Sequence, residues 1–548
     1  MSTTFATHEV MNQPPELDGV NLFASDAALK DAVLREAGGW GQTRLMAFGA
    51  WLGQRDTRRL GDQANRHVPE LKAHDRHGHR IDKVEFHPAW HDLMSRAVAE
   101  QVHALPWAEP ASGAHVVRAA SAFMLNQVEA GVCCPIAMTF AAIPVLRGGL
   151  DIAAAWMPKI LSTDYDPSCQ PIENKRGALI GMAMTEKQGG SDLRANTTSA
   201  TAIGGDAYEL VGHKWFCSAP MSDAFLTLAQ TERGLSCFLL PRWRPDGSRN
   251  AFHMQRLKDK LSNRSNASAE VECAGAFAHL LGENGQGIRT IIKMVHHARL
   301  DAAISAAGLM RRALAQALHH AAYRTAFQRK LIDQPLMRNV LADLAVEVEA
   351  AIALVMRLAG AFDRASDDAD EQGFSRLATA VAKYWICKQA PRMIVEALEC
   401  LGGNGYVEES ILPRLYREAP VNSVWEGSGN VICLDVLRAI ERNPETLHVM
   451  QSELEKARGG DRRLDARLDR LKARVLGQEM QEDQARVLVE QFALALMGAL
   501  LVQHAPSTVA DAFCTSRFDD HAGGQQFGTL PRGLDFAAIV ERAQPIKT

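Results

Sequence analysis

Apolar residues recur at helical spacing over Ala27–Ala37 and again over 90–102, so the first third of the chain predicts helices broken by loops. An extended arm, Asn12-Gln13-Pro14-Pro15, precedes them. Near residue 180 the pattern changes to short strand-like runs at 208–211, 225–228, 236–240 and 269–273. Gly204-Gly205-Asp206, Glu232-Arg233-Gly234 and Pro245-Asp246-Gly247 supply turns between them. Helical texture returns from Gly287, in Ala/Leu-rich stretches at 303–323, 340–362, 375–400 and 431–440. Helix, then sheet, then helix is an α+β plan, because alternating βαβ units are missing from the pattern. The predicted domains are an N-terminal helical domain at 1–180, a middle β domain at 181–286, a second helical domain at 287–440 and a helical tail at 441–548.

Composition adds limits. A chain of 548 residues is too long for one simple core. Its net charge of −4 argues against general nucleic-acid basicity. The 10 cysteines include no C-x-x-C pair, and adjacent Cys133-Cys134 read as reduced thiols. Residues 1–10 lack a cationic stretch followed by an apolar core, and the longest apolar run, 492–502, is short for a bilayer. The expected location is therefore the cytoplasm, without a membrane partner. No metal-ligand cluster stands out; His296-His297 and His319-His320 read as packing or surface residues.

The segment 421–430 carries the most chemistry. Glu426 stands between Trp425 and the small residues Gly427, Ser428, Gly429 and Asn430, and Pro420 just upstream discourages helix. Such a loop can hold a catalytic base against a flat cofactor, or be an ordinary polar loop. Met184-Thr185-Glu186 leads into Gly189-Gly190-Ser191-Asp192, whose freed amides and hydroxyls suit a ring edge and a diphosphate, though the spacing is neither a Walker loop nor a dinucleotide fingerprint. Lys214-Trp215-Phe216-Cys217-Ser218 offers an aromatic followed by a hydroxyl, and Leu401-Gly402-Gly403-Asn404-Gly405-Tyr406 has more glycine than a helix cap needs. In the tail, Leu464, Leu468, Leu471 and Val475 form one stripe, and Arg463, Arg467, Arg470 and Arg474 a second, one residue earlier in phase. Residues 456–474 hold eight basic and three acidic side chains, a local charge of +5, which reads either as a solvated face or as a phosphate-binding face.

In order and spacing these motifs, with Arg324-Thr325-Ala326-Phe327, resemble the acyl-CoA dehydrogenase family over roughly residues 150–440. The resemblance implies that family's fold: an N-terminal helical domain, a middle β-barrel-like domain and a C-terminal helical bundle, here with an extra tail. It implies FAD, with Met184, Thr185, Gly190 and Ser191 at the flavin or diphosphate, Phe216 by the ring, Ser218 near its reactive nitrogen, and Gly427, Ser428 and Asn430 lining the cofactor. It implies that a neighbouring subunit contributes Arg324, Phe327, Gly402 and Gly403, hence a homo-oligomer and by family habit a tetramer. Glu426 matches the base that removes the proton α to an acyl-CoA thioester. Three positions depart from the family pattern: Pro335 and Glu399 stand where glutamines are usual, and Trp425 where tyrosine is. The insertion at 156–179 also bears on the substrate entrance. A branch of the family, the bacterial alkylation-response flavoproteins, is similar over nearly the whole chain, including Asn12-Gln13-Pro14 and 256–268. That likeness implies sequence-independent binding of double-stranded DNA by Arg462, Arg463, Arg467, Arg470 and Arg474, with at most weak, isovaleryl-type acyl-CoA dehydrogenation. A metabolic short- or branched-chain dehydrogenase with a structural tail, and a DNA-shielding protein with structural FAD, are the alternatives.

Overall fold

The computed structural model describes residues 7–476, 481–519 and 524–545. The N-terminal part is helical, with α1 (Ala27–Ala37), α2 (Ala114–Asn126) and α3 (Ala130–Leu146) feeding one large apolar core. It also contains an antiparallel hairpin the pattern did not predict, β1 (Glu70–His74) and β2 (Arg80–Glu85). The hairpin reads as polar because its backing comes from the middle domain: Arg80 donates to the Met254 carbonyl at 2.6 Å, and Arg242 donates to that of Asp82 at 2.9 Å.

The middle domain has seven strands: β3 (Ile180–Ala183), β4 (Ser199–Gly204), β5 (Ala207–Ser218), β6 (Ala224–Thr231), β7 (Gly234–Pro241), β8 (Phe252–Leu257) and β9 (Ser268–Leu281). Pairings β6–β4, β4–β5, β5–β9, β9–β7 and β7–β6 return to their starting strand, so the sheet closes as a barrel, with β3 joined to β6 and β8 to β9. Closure removes the exposed edges that an open sheet would offer. Phe225 and Phe252 stack inside at 4.8 Å between centroids.

Helix α4 (Gly287–Tyr323), α5 (Pro335–Arg364), α6 (Ala369–Glu399), α7 (Leu412–Asn422) and α8 (Gly429–Arg442) build the second helical domain. Pro335 opens α5, where its missing N–H would have had no intrahelical partner. Glu399 closes α6. Between α4 and α5 a two-residue turn joins β10 (Thr325–Ala326) to β11 (Arg329–Lys330). Phe327 and Gln328 both have positive φ, at 50° and 63°, the backbone such a turn requires. Two expectations need correction. Pro420 does not keep its segment out of helix: it lies inside α7, two residues before the end, because buried Leu412, Leu415 and Ala419 hold that helix on the core. Asn430 likewise belongs to α8, not to the preceding loop.

The tail contains α9 (Arg462–Leu476), α10 (Ala485–His504) and α11 (Ser507–Phe518). Leu464, Leu468, Leu471 and Val475 are buried, as their spacing predicts. The stretch Glu482–His504 is long and apolar enough to cross a membrane by length and composition, unlike the shorter uninterrupted run read from sequence, and 72% of its window is buried. It packs against α5, α6, α8, α9 and α11 as a core helix. Arg517 pins α11 to α5 through Asp343 at 2.7 Å and Glu347 at 3.4 Å.

Candidate active site

The turn 423–428 lies between α7 and α8. Backbone N–H groups of Ser423, Val424 and Trp425 still bond back to Pro420 and Val421, so helical winding runs to Trp425. Glu426 then takes a φ of 58° and Gly427 a φ of 106°. A left-handed glutamate is strained, and such strain persists where surroundings hold it. Here Arg299 of α4 donates to the Glu426 carbonyl at 3.1 Å, and buried Lys383 of α6 donates to that of Gly427. Arg299 is itself braced by Asp435 at 2.6 Å. Trp425 donates its indole N–H to Asn422 at 3.0 Å, and Ser423 bonds the Cys387 carbonyl at 2.8 Å.

Glu426 Oε2 is buried and, among the described residues, has no hydrogen-bond partner. Burial raises its pKa to about 7, against the opposing pull of Arg299 and Lys383. A carboxylate near neutrality, short of partners, is a base ready for a proton.

Two further elements face this turn. Loop 184–192 is tied to β5 by the Trp215 N–H donating to the Thr185 carbonyl at 2.9 Å. Its foundation is Glu186, buried with Lys214: the ammonium lies 2.9 Å from Oε1 and 2.8 Å from the Leu228 carbonyl. Although desolvation pushes the other way, hydrogen bonds from Thr198, Thr197 and Lys214 hold the Glu186 carboxyl down to about 2. At the end of β5, Phe216 turns outward, 51% exposed, and Ser218 Oγ lies 3.4 Å from Ser268 Oγ. Burial pushes the Cys134 thiol of α3 up to about 12. Met184 and Trp425 pack on the same apolar cluster.

The residues present fit FAD. Gly190 is so close to Thr185 that an added Cβ would sit 2.4 Å from its Oγ1, leaving only backbone there. Gly190, Ser191, Phe216, Ser428 and Asn430 are exposed, and the Ser428 hydroxyl makes no capping bond at the start of α8. An outward aromatic, free amides and a helix N-terminus suit a flat ring and a diphosphate.

Arg324, Phe327, Gly402 and Gly403 form a second group. The N-terminal arm clips it together: Asn12 accepts from the Thr325 N–H and donates to the Thr325 carbonyl, both at 2.8 Å, and its carbonyl accepts from Arg324 at 2.6 Å. Gln13 meets Asn404 at 3.5 Å. Phe327 stands 93% exposed at the hairpin tip.

In the tail, Arg462 and Arg470 are exposed, while Arg467 and Arg474 are half-buried beside the leucine seam. Arg463 departs from the phosphate-facing expectation: it is engaged within the tail by Asp461, Asp511 at 2.6 Å and Thr515. Among the described residues no metal-ligating cluster exists. His296 and His297 pack with His115, Phe140 and Phe362, and His319 bonds the Pro15 carbonyl.

Sequence reading missed Arg299 and Lys383, and it named Glu186 and Lys214 without pairing them; partners brought together by folding leave no signal in the spacing.

Residues 285–441 match the acyl-CoA dehydrogenase C-terminal domain, 181–275 the acyl-CoA dehydrogenase middle domain, and 12–167 the adaptive response protein AidB N-terminal domain. The AidB protein of Escherichia coli (strain K12) is 48% identical over 519 residues, 94% of this chain and 95% of that one. The chain belongs to the acyl-CoA dehydrogenase family. Acyl-CoA dehydrogenase family member 11 of Caenorhabditis elegans is 31% identical over 84% of this chain and 77% of its own. The crystal structure of Caenorhabditis elegans ACDH-11 in complex with C11-CoA superposes with a TM-score of 0.86, at 28% identity, covering 93% of this chain and 94% of that one.

The chain is thus an FAD-dependent oxidoreductase acting on a CH–CH bond. Bound FAD supplies the hydride acceptor. Arg299 and Lys383 fix the turn that carries the Glu426 carboxyl.

Proposed function

We propose that this protein is a cytoplasmic, homotetrameric flavoprotein of the response to DNA alkylation, which binds duplex DNA and slowly dehydrogenates short or branched acyl-CoA thioesters. The buried, unpartnered Oε2 of Glu426 carries the dehydrogenase half of this reading. The short-chain preference rests on Trp107, Phe140, His297 and Phe362, which crowd the interior beside the turn of α4 that bears Arg299. A panel of acyl-CoA thioesters tests it. Isovaleryl- and butyryl-CoA should reduce the flavin faster than an eleven-carbon thioester, the ligand class of the ACDH-11 crystal. Faster reduction by the longer chain overturns the preference.

The DNA half is supported by the exposed arginines of α9 and by the full-length likeness to AidB. Phosphate contacts of this kind are sequence-indifferent and weaken with salt. Replacing Arg462 and Arg470 by Gln should weaken duplex binding and flatten its salt dependence in gel-shift titrations. Unchanged affinity removes α9 as the contact. The tetramer is supported by the projecting Phe327 and the clipped group around Arg324, arranged to serve a neighbouring subunit's cofactor. Light scattering on the purified protein tests it, a monomer being the contrary result.

A further inference from the structure

One side chain of the tail bonds directly to the start of α8. Arg486, in the first turn of α10, donates from Nε to Asn430 Oδ1 at 2.9 Å. Asn430 stands in the first turn of α8, beside the uncapped Ser428 and one residue after Gly429. Lys388 of α6 approaches from the other side: a Cβ on Gly429 would meet its Cε at 3.0 Å and its Nζ at 3.6 Å. Arg486 and Lys388 are both exposed, so each keeps donors for an incoming group after these contacts. Glu490, one turn further along α10, is the facing carboxylate, and Arg467 and Arg392 stand against it. The start of α8 is therefore ringed by two cations from two separate parts of the chain, with a helix N-terminus between them.

We propose that Arg486 of the tail, with Lys388, completes the diphosphate cradle of the FAD site, so that cofactor binding and docking of the tail support one another. This rests on FAD occupying the start of α8, as the fit of Ser428 and Asn430 indicates. The guanidinium fork suits an anionic diphosphate, and its Asn430 bond orients it beforehand. Linkage is reciprocal. Whatever binding free energy Arg486 contributes to FAD is returned as stability of the α10 N-terminus when FAD is bound.

The test titrates full-length apoprotein, wild type and Arg486→Gln, with FAD and separately with riboflavin, following flavin fluorescence. The variant should bind FAD roughly tenfold or more weakly, from loss of a charge-assisted contact. Its riboflavin affinity should match wild type, because riboflavin has no phosphate. Hydrogen exchange supplies the second readout. FAD should protect the amides of 486–489 in wild type and protect them less in the variant. Equal FAD affinity of the two proteins overturns the inference, as does an equal penalty for riboflavin, which would mark general damage to the tail. Wild-type apoprotein that takes up no FAD would instead refute the parent reading of the site. Apo-state unfolding curves of both proteins check that the variant folds.

Discussion

Replacing Glu426 by Gln should slow catalysis and at the same time stabilise the apoprotein in a pH-dependent way. The carboxyl rises from the usual 4.5 to about 7 in the folded chain because burial disfavours its charged form. A raised folded-state pKa means that folded protein holds the proton over a range where unfolded chain has lost it. Stability is then greatest below about 4.5, declines as pH rises toward 7, and levels off above. At about 1.4 kcal/mol for each tenfold, the full penalty is on the order of 3 kcal/mol, of which about 2 kcal/mol develops between pH 5.5 and 8. Glutamine does not titrate, so the variant escapes this loss. Urea unfolding of apo wild type and apo Glu426→Gln at those two pH values measures it. The variant's relative stability should grow by about 2 kcal/mol from the lower to the higher pH. Acyl-CoA turnover should fall by roughly a hundredfold or more, the usual cost of losing a positioned base. In wild type, turnover should rise through about pH 7 as Glu426 loses its proton. A stability difference that ignores pH refutes the claim that Glu426 is buried at the expense of its charge. Retained turnover in the variant removes it as the base.

Purified protein should be yellow and release about one FAD per chain on denaturation, by absorbance, as one complete flavin site per subunit requires. Gly190→Ala should loosen FAD by roughly tenfold in fluorescence titration, since the new Cβ displaces Thr185 or the phosphate side of the cofactor. Lys214→Met should cost about 3–5 kcal/mol in urea unfolding by leaving Glu186 buried without its cation; a loss under about 1 kcal/mol contradicts that foundation for loop 184–192. Arg463→Gln should lower the stability of the tail, seen as faster hydrogen exchange in α9, because its partners Asp461 and Asp511 are within the tail; a variant that loses only DNA affinity would return Arg463 to the phosphate-facing set.

By itself the sequence determined the order of helical, β and helical parts, because periods of 3.6 and 2 are local properties of the chain. It also determined the family, because the Glu426 turn, the 184–192 loop and the 214–218 run occur together in order. The buried face of α9 was legible too, since Leu464, Leu468, Leu471 and Val475 recur at helical spacing. Local pattern misread Pro420, because a helix rule states a cost and the packing of Leu412, Leu415 and Ala419 outweighs it. It missed the β1–β2 hairpin, whose partners Met254 and Arg242 lie more than a hundred residues away. Only the tertiary structure decided what Glu426 is. Burial raises its carboxyl to about 7 against the pull of Arg299 and Lys383, which come from helices far off in sequence. The same holds for the arginines of the tail. Arg462, Arg463 and Arg470 lie in one basic stretch of sequence, but Arg463 turns to Asp511 while Arg462 and Arg470 are exposed, and Arg486 further on bonds Asn430 at the start of α8. Charge and desolvation act through space, so their balance at a side chain is set by neighbours that folding brings, not by neighbours along the chain.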